Sequence, residues 1–166
     1  MKTFGGVAPT IVVVRPYTTR LRRRVWAMLR HAGLDMDQAL QIPSTTPDEE
    51  AVAQIISARP DLLLVPFNAH RDPDGAPLDG LTFCRRFTQT PGTRPLPILM
   101  PVSRMAAANL RLSSHAEPHA KIYAELLQTR IMILEDDQLD DPKTPARVVD
   151  HLRAHGVFVG STAPLA

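Results

Sequence analysis

The sequence predicts an α/β fold in which a five-stranded parallel sheet carries helices on both faces, a three-layer (βα)5 sandwich. The first observation is a set of five short apolar runs, at residues 11–14, 37–42, 62–65, 98–102 and 131–134. The second is that amphipathic segments of helical period separate these runs. Strands that alternate with helices form parallel sheets, because each crossover helix packs back onto the sheet.

The five runs differ in how clearly they indicate a buried strand. The run "IVVV" at 11–14 is continuous and β-branched, which is typical of a strand covered on both faces. The run "DQALQI" at 37–42 is the weakest. Pro101 interrupts the fourth run, and proline within a run indicates a strand end or an edge strand. A further segment, "GVFVG" at 156–160, predicts a short edge piece.

Capping residues mark the helices between the runs. The first helix begins at residue 18 or 19 and stops before Gly33, which can adopt the left-handed conformation that ends a helix. The segment "TPDE" at 46–49 predicts a capped helix start, with the helix continuing to about residue 58. A third helix follows residue 79, and residues 118–128 form another. Thr144-Pro145 opens the last helix, which Gly156 closes.

Composition sets the scale of the molecule. The chain has 166 residues, 44% of them hydrophobic and 22% charged, which is the composition of one globular domain with a real core. We expect this domain to occupy residues 1–156 and residues 157–166 to form a tail. The formal charge of +2 is too small to require nucleic acid as a partner.

Cysteine content and hydropathy indicate a compartment. A lone cysteine, Cys84, excludes an internal disulfide and fits the reducing cytoplasm, where it is expected to be a small core residue. No apolar run approaches the roughly 20 residues that cross a bilayer. Arg15 and Pro16 end the short N-terminal apolar run, so it is not a signal peptide. We expect a cytoplasmic protein with no membrane contact.

Several motifs between residues 58 and 103 resemble the middle of response-regulator receiver domains. They are Pro60-Asp61 before the third run, Asp79-Gly80-Leu81 followed by "CRRF" at the third helix, and "PILM" at 97–100 on the fourth run. The resemblance covers the whole chain in the order of elements and is specific over residues 58–103. It implies a flavodoxin-like fold and a role in two-component signalling.

The resemblance also implies a phosphorylation pocket at the carboxyl ends of the strands. Receivers accept a phosphoryl group on an aspartate after the third strand, and that position falls here on Pro66, with Asn68 two residues beyond. The acidic pair that holds a divalent metal falls on Arg15 and Pro16. Pro66 and Asn68 supply no carboxylate nucleophile, and Arg15 and Pro16 supply no side-chain oxygen for a hard cation.

Two further positions of the implied pocket have changed. The hydroxyl position after the fourth strand falls on Val102 or Ser103, and the lysine position after the fifth falls on Glu135 or Asp136. Phosphoryl transfer needs the complete set, because the cation neutralises the charge that develops on the phosphoryl group. We therefore expect a degenerate receiver, a pseudo-receiver without aspartyl phosphorylation, bound metal or cofactor.

Two interpretations of the acidic run "EDDQLDD" at 135–141 remain open. In the first, Arg15 pairs with Glu135, Asp136 or Asp137 and makes a charge-swapped pocket with one fixed conformation. In the second, the run is a solvated acidic loop with no partner. It lacks the glycine and the spaced glutamate of a calcium loop, so a metal site is not expected.

Basic and histidine clusters have an ordinary interpretation as solvated side chains. The arginines at 20 and 22–24 lie on a helix surface without the interleaved aromatic residues of a nucleic-acid interface. Histidines at 115 and 119, and at 151 and 155, are four residues apart and share helical faces. Zinc usually requires further ligands, and none lies nearby in sequence.

Three functions are compatible with these patterns. The first is a non-enzymatic signalling module that binds a partner protein, or a second copy of itself, through Tyr123, Leu127 and Arg130. The second is an enzyme or small-ligand binder with residues 67–79 as a lid. Against it, the sequence has no glycine-rich phosphate loop and no nucleophile elbow. The third is a nucleic-acid binder that uses the arginine-rich first helix, with binding that weakens steeply as salt rises.

Overall fold

The computed structural model describes residues 8–14, 19–43, 46–67, 70–71, 77–78, 80–102 and 130–159. Within these ranges no helix is long and apolar enough to span a bilayer. The helix predicted over 118–128 lies outside them, as do residues 160–166 of the predicted tail.

The central sheet confirms the predicted fold class. Its strands are β1 (Ile11–Val14), β2 (Leu40–Ile42), β3 (Leu62–Leu64), β6 (Ile98–Val102) and β7 (Ile131–Glu135). They lie in the order β2-β1-β3-β6-β7, and every pair is parallel. The short strands β4 (His70–Arg71) and β5 (Pro77–Leu78) pair antiparallel in a separate two-stranded sheet inside the loop after β3.

Within the described residues, four helices cover the two faces of the sheet. The helices α1 (Thr19–His31) and α4 (Thr144–Ala154) pack on one face, and α2 (Asp48–Ala58) and α3 (Gly80–Gln89) pack on the other. Alternate residues of β1 belong to the two cores, Val12 to one and Val13 to the other, and both are fully buried. A strand covered twice needs apolar side chains at every position, which explains the continuous runs.

The second strand and the second helix begin later than the sequence predicts. A 3₁₀ turn at Met36–Gln38 occupies the first half of the weak run, because the Asp35 carboxylate accepts the N–H of Asp37 and caps that turn. The helix α2 begins at Asp48, and Pro47 in the capping position makes no side-chain capping hydrogen bond. The predicted capping box at 46–49 is therefore wrong.

Pro101 and the valines of the C-terminal segment also differ from what the sequence predicts. Pro101 lies near the end of β6 as predicted, but β6 is an inner strand between β3 and β7 and not an edge. Residues 157–159 form no strand. Instead the N–H of Val157 donates to the carbonyl of Leu152 at 2.8 Å, and Val157 and Val159 pack against the core beside α4.

Candidate functional site

The carboxyl edge of the sheet, where parallel α/β folds place their sites, is described at four of the eight predicted pocket positions. Pro66, Val102, Glu135 and Asp136 are described. Arg15, Pro16, Asn68 and Ser103 lie outside the described residues. The structure therefore describes the ends of β3, β6 and β7 at this edge, together with Val14 at the end of β1.

Pro66 is buried at the end of β3, between two residues that continue the pairing with β6. The N–H of Val65 donates to the carbonyl of Leu99 at 3.0 Å, and the N–H of Phe67 donates to Pro101 at 3.2 Å. On the neighbouring strand Val102 is 1% exposed. The position that resembles the receiver phosphoacceptor thus carries an apolar ring inside a packed sheet edge.

Gly80, the first residue of α3, packs against the backbone at the end of β3. Its N–H donates to the carbonyl of Phe67 at 2.7 Å. A Cβ atom at Gly80 would lie 2.5 Å from the carbonyl oxygen of Pro66 and 3.1 Å from the Cα of Phe67. Only glycine permits this approach, because backbone atoms cannot move aside as a flexible side chain can. The Asp-Gly motif of the sequence is explained by this contact.

The acidic run after β7 is held by an arginine that the sequence did not single out for pairing. The Arg24 guanidinium on α1 donates through Nη1 to the Asp136 carboxylate and through Nη2 to the Asp136 carbonyl at 2.7 Å. Nη2 also reaches the Asp140 carboxylate at 2.8 Å. We call this arrangement the Arg24 clasp; it consists of Arg24, Asp136 and Asp140.

The clasp overturns one of the two interpretations of the acidic run and one related expectation. The run is not a solvated loop without a partner, and Arg24 is not a solvated helix-surface arginine. The predicted charge-swapped pairing with Arg15 stays a prediction, and the arginine seen on Asp136 is Arg24 of α1. Arg15, the predicted partner, lies outside the described residues. The signal available in the sequence was position: Arg24 lies four residues before buried Met28, at the border of the apolar stripe of α1.

The electrostatics of the clasp favour the charged form of the arginine. Burial opposes the charge on Arg24, but the hydrogen bonds that it donates to Asp140 and Asp136, together with the charges of both carboxylates, outweigh burial and raise the pKa of Arg24. The side chain is 27% exposed and Asp140 is 76% exposed, so solvent screens the outer half of the clasp more than the inner half.

The rest of the acidic run forms a defined turn. Residues Asp136–Gln138 make a 3₁₀ turn, in which the side-chain oxygen of Gln138 accepts the N–H of Glu135 at 2.9 Å. The buried hydroxyl of Thr144 donates to the Gln138 carbonyl at 2.6 Å, which ties the start of α4 to the turn. This hydrogen bond fixes the position of the segment that follows β7.

The described residues of the edge do not fit the divalent metal that the resemblance implies. Magnesium prefers carboxylate oxygens that converge on one point. Pro66 and Val102 offer no side-chain oxygen. The Glu135 side chain accepts the N–H of Gln138, and the Asp136 carboxylate is committed to Arg24. Throughout the described ranges, no group of three or more His, Cys, Asp or Glu side chains is placed to hold a metal ion.

One of the three predicted partner-binding residues can be located. Arg130 is half-buried just before β7, and its carbonyl accepts the Nε2–H of His151 on α4 at 2.9 Å. Burial is the main reason that the pKa of His151 is lowered, with the nearby His155 acting in the same direction. His151 is therefore not the surface histidine that was expected. Tyr123 and Leu127 lie outside the described residues.

Comparison with solved structures identifies the fold. The chain superposes on a protein described as a response regulator from Chloroflexus aurantiacus J-10-fl with a TM-score of 0.53 and 24% identity, over 87% of this chain and 98% of that one. It matches the receiver domain of AraT from Geobacillus stearothermophilus (TM-score 0.51, 14% identity, 88% and 94% covered). It also matches the BeF3-activated receiver domain of RstA from Klebsiella pneumoniae (0.50, 19%, 87% and 98%).

The chain therefore has the fold of response-regulator receiver domains, as the motifs at 58–103 predicted. No protein-family model matches the sequence, and no curated protein matches it. The likeness to receivers thus lies in the order and packing of elements. The shared fold does not by itself show whether residues at the carboxyl edge can accept a phosphoryl group.

Proposed function

We propose that this chain is a cytoplasmic signalling module that binds a partner protein and is not switched by aspartyl phosphorylation. It is a pseudo-receiver and not an enzyme. The single observation that carries the proposal is the environment of Pro66, which occupies the phosphoacceptor position as a buried ring under the first residue of α3.

The chemistry of phosphoryl transfer supports this proposal. An acceptor needs a nucleophilic oxygen with free space in line with the incoming phosphorus, and a cation to stabilise the developing charge. At the end of β3 the nearest groups to the α3 start are backbone atoms of Pro66 and Phe67, packed against Gly80. The described end of β7 offers a carboxylate, Asp136, that an arginine already neutralises.

The Arg24 clasp supports a fixed rather than a switched conformation. A conformational switch needs an element that can adopt two arrangements. Here the segment after β7 is tied to α1 by three hydrogen bonds from one guanidinium, and to α4 by Thr144. Bidentate and charge-assisted hydrogen bonds of this kind fix geometry more than they add stability.

Protein binding is proposed to use the face around Arg130, Tyr123 and Leu127, with a homodimer as one form of that interaction. Nucleic-acid binding through α1 is less favoured, because Arg24 is engaged by Asp136 and Asp140, and Arg30 pairs with Asp37 at 3.2 Å. Two of the arginines that would contact phosphates are thus already neutralised.

Beryllofluoride, a phosphoryl mimic that needs an acceptor carboxylate and a divalent metal, tests the proposal. The chain labelled with ¹⁵N is titrated with magnesium and beryllofluoride, and the RstA receiver domain serves as the positive control. The amide signals of Val65, Val102 and Glu135 should stay unchanged while those of the control shift. Saturable shifts of these amides in this chain would refute the proposal.

The partner half of the proposal needs its own measurement. A pull-down with the unphosphorylated chain should recover a protein that the Arg130→Glu variant binds more weakly. The matched control is Arg147→Glu on α4, an exposed arginine. Equal recovery by both variants would exclude the Arg130 face.

A further inference from the structure

A groove opens at the amino-terminal edge of the sheet, opposite the closed carboxyl edge. It lies between the C-terminal ends of α2 and α3 and encloses about 700 Å³. Its floor is apolar, formed by Ile55, Ile56, Phe87 and Leu96. Ile56 is half-buried, whereas Phe87 is 2% exposed and seals the floor against the core. The groove therefore offers a shallow apolar surface on a rigid base.

The charged residues that line the groove are both arginines. Arg59 and Arg94 stand at its rim, and its lining includes no acidic side chain from the part of the chain that the structure describes. The neighbouring Asp61 is already committed, because its carboxylate accepts the N–H of Thr10 at 2.8 Å and lies 3.5 Å from Nη2 of Arg94. The groove is thus positive at its rim and apolar at its base.

Arg59 holds a backbone conformation that normally belongs to glycine. It follows α2 with φ 49° and ψ 58°, in the left-handed region. The other described residues with positive φ are Gly33, Gly92 and Gly156, which follow α1, α3 and α4. Among the four helices that the structure describes, three are thus followed by the residue that the conformation favours, and α2 is followed by an arginine at a conformational cost. A strained backbone conformation at a residue other than glycine indicates that its side chain has a functional role.

Arg94 supports the same loop from the other side of the groove. Its Nη2 donates to the carbonyl of Pro60 at 2.6 Å and lies 3.5 Å from the carbonyl of Arg59. All of its hydrogen bonds with described residues are made by this one nitrogen, so the other guanidinium nitrogens remain available for an anion. Guanidinium groups bind carboxylates in a bidentate manner, and two of them at one rim set the register of a ligand.

We propose that this groove binds an acidic peptide segment of a partner protein, with a carboxylate between Arg59 and Arg94 and an apolar side chain over Ile56. The proposal rests on the proposed role of the chain as an interaction module, but Arg130 is not among the residues that line this groove. Asp61, the acidic residue beside this rim, is already engaged by Thr10 and Arg94, and the remaining charge of the two arginines favours a negatively charged partner. A nucleic acid fits less well, because buried Phe87 presents no ring face for base stacking.

Selection of peptides from a random phage-displayed library on the immobilised chain tests the proposal. The selected sequences should combine Asp or Glu with a large apolar residue. A library that yields no binder, or binders without acidic residues, would overturn the proposal. So would binding of single-stranded DNA or RNA oligonucleotides at the groove when no peptide binds.

Variants then locate the selected peptides, with affinity measured by fluorescence anisotropy. Arg59→Glu should weaken binding at least about tenfold, since arginine is among the residues that most often dominate binding energy and the substitution reverses its charge. The control Arg153→Glu reverses a charge on α4, on the opposite face of the sheet, and should change affinity by less than about twofold. Equal affinity of Arg59→Glu and the unmodified chain would overturn the proposal.

Arg59→Gly separates a binding role from a structural one. Glycine relieves the left-handed strain, so the melting temperature should stay the same or rise by about 2 °C, while peptide affinity falls at least about fivefold. A fall in melting temperature with unchanged affinity would show that Arg59 is structural and would refute the proposal. If Arg130→Glu abolishes peptide binding and Arg59→Glu does not, the groove proposal is wrong and the proposed function still stands.

Discussion

The two edges of the sheet differ in how they are filled. At the carboxyl edge, Pro66 and Val102 are buried, and Gly80 lies against the backbone of the β3 end. At the amino edge, a groove remains open and two arginines stand over apolar side chains. In α/β sheets the carboxyl edge is the usual place for a site. This chain therefore has the receiver fold, but packed side chains and backbone fill the described part of its carboxyl edge. The open groove lies at the opposite edge of the sheet.

The difference between the edges also appears in their glycines. Gly80 is needed because a side chain there would collide with the Pro66 carbonyl, whereas Gly156 has positive φ and open space around it. Gly80 permits close packing against the backbone, and Gly156 permits the positive φ with which the chain leaves α4. Substitution at each therefore separates the cost of a steric clash from the cost of backbone strain.

Gly80→Ala should have the largest effect of the variants that test this comparison. The added methyl group would meet backbone atoms that cannot rotate away, so the free energy of unfolding should fall by about 2–4 kcal/mol in urea denaturation. The control Gly156→Ala should cost about 1 kcal/mol, because it introduces strain without a collision. Equal losses for both variants would contradict the close packing of the carboxyl edge.

Arg24→Ala should have the next largest effect, since it opens the Arg24 clasp. It removes the charge-assisted hydrogen bonds to Asp136 and Asp140, and the free energy of unfolding should fall by roughly 1–2 kcal/mol after allowance for solvent screening. The adjacent Arg23, which is exposed, is the matched control. Arg23→Ala should change stability by less than about 0.5 kcal/mol. Similar values for both variants would show that the clasp does not form in solution.

The pH dependence of stability should show a smaller contribution from His151. Because burial lowers the pKa of His151 in the folded chain, the unfolded chain binds more protons, and stability falls as pH decreases. The contribution is complete above the ordinary histidine pKa and is lost as pH falls through that value towards the folded one. His151→Gln should therefore lose less stability between pH 7.5 and pH 5 than the unmodified chain does. Identical pH profiles would contradict this assignment.

The fold was predictable because its signals are local. Continuous apolar runs and helical stripes report burial residue by residue, and glycines at 33 and 156 end helices in the predicted way. The proline at position 66, on which the proposed function depends, can be read directly from the sequence, and the structure adds that it is buried. The predicted start of α2 was wrong because two neighbouring residues could take the capping position. Pro47 takes it in the structure and makes no side-chain capping hydrogen bond.

The Arg24 clasp and the amino-edge groove were not predictable from local patterns. Arg24 and Asp136 are 112 positions apart, and nothing in either segment indicates the other. The conformation of Arg59 follows from how α2 meets β3, and an arginine in a left-handed position carries no sequence signature. Contacts of this kind depend on the packing of distant elements, which periodicity and capping do not encode.

Incubation with acetyl phosphate and magnesium, followed by intact mass measurement, tests the central claim most directly. The claim predicts that the mass of this chain stays unchanged under conditions in which the RstA receiver domain gains one phosphoryl group. Gain of one phosphoryl group by this chain, removable by hydroxylamine as an acyl phosphate is, would contradict it.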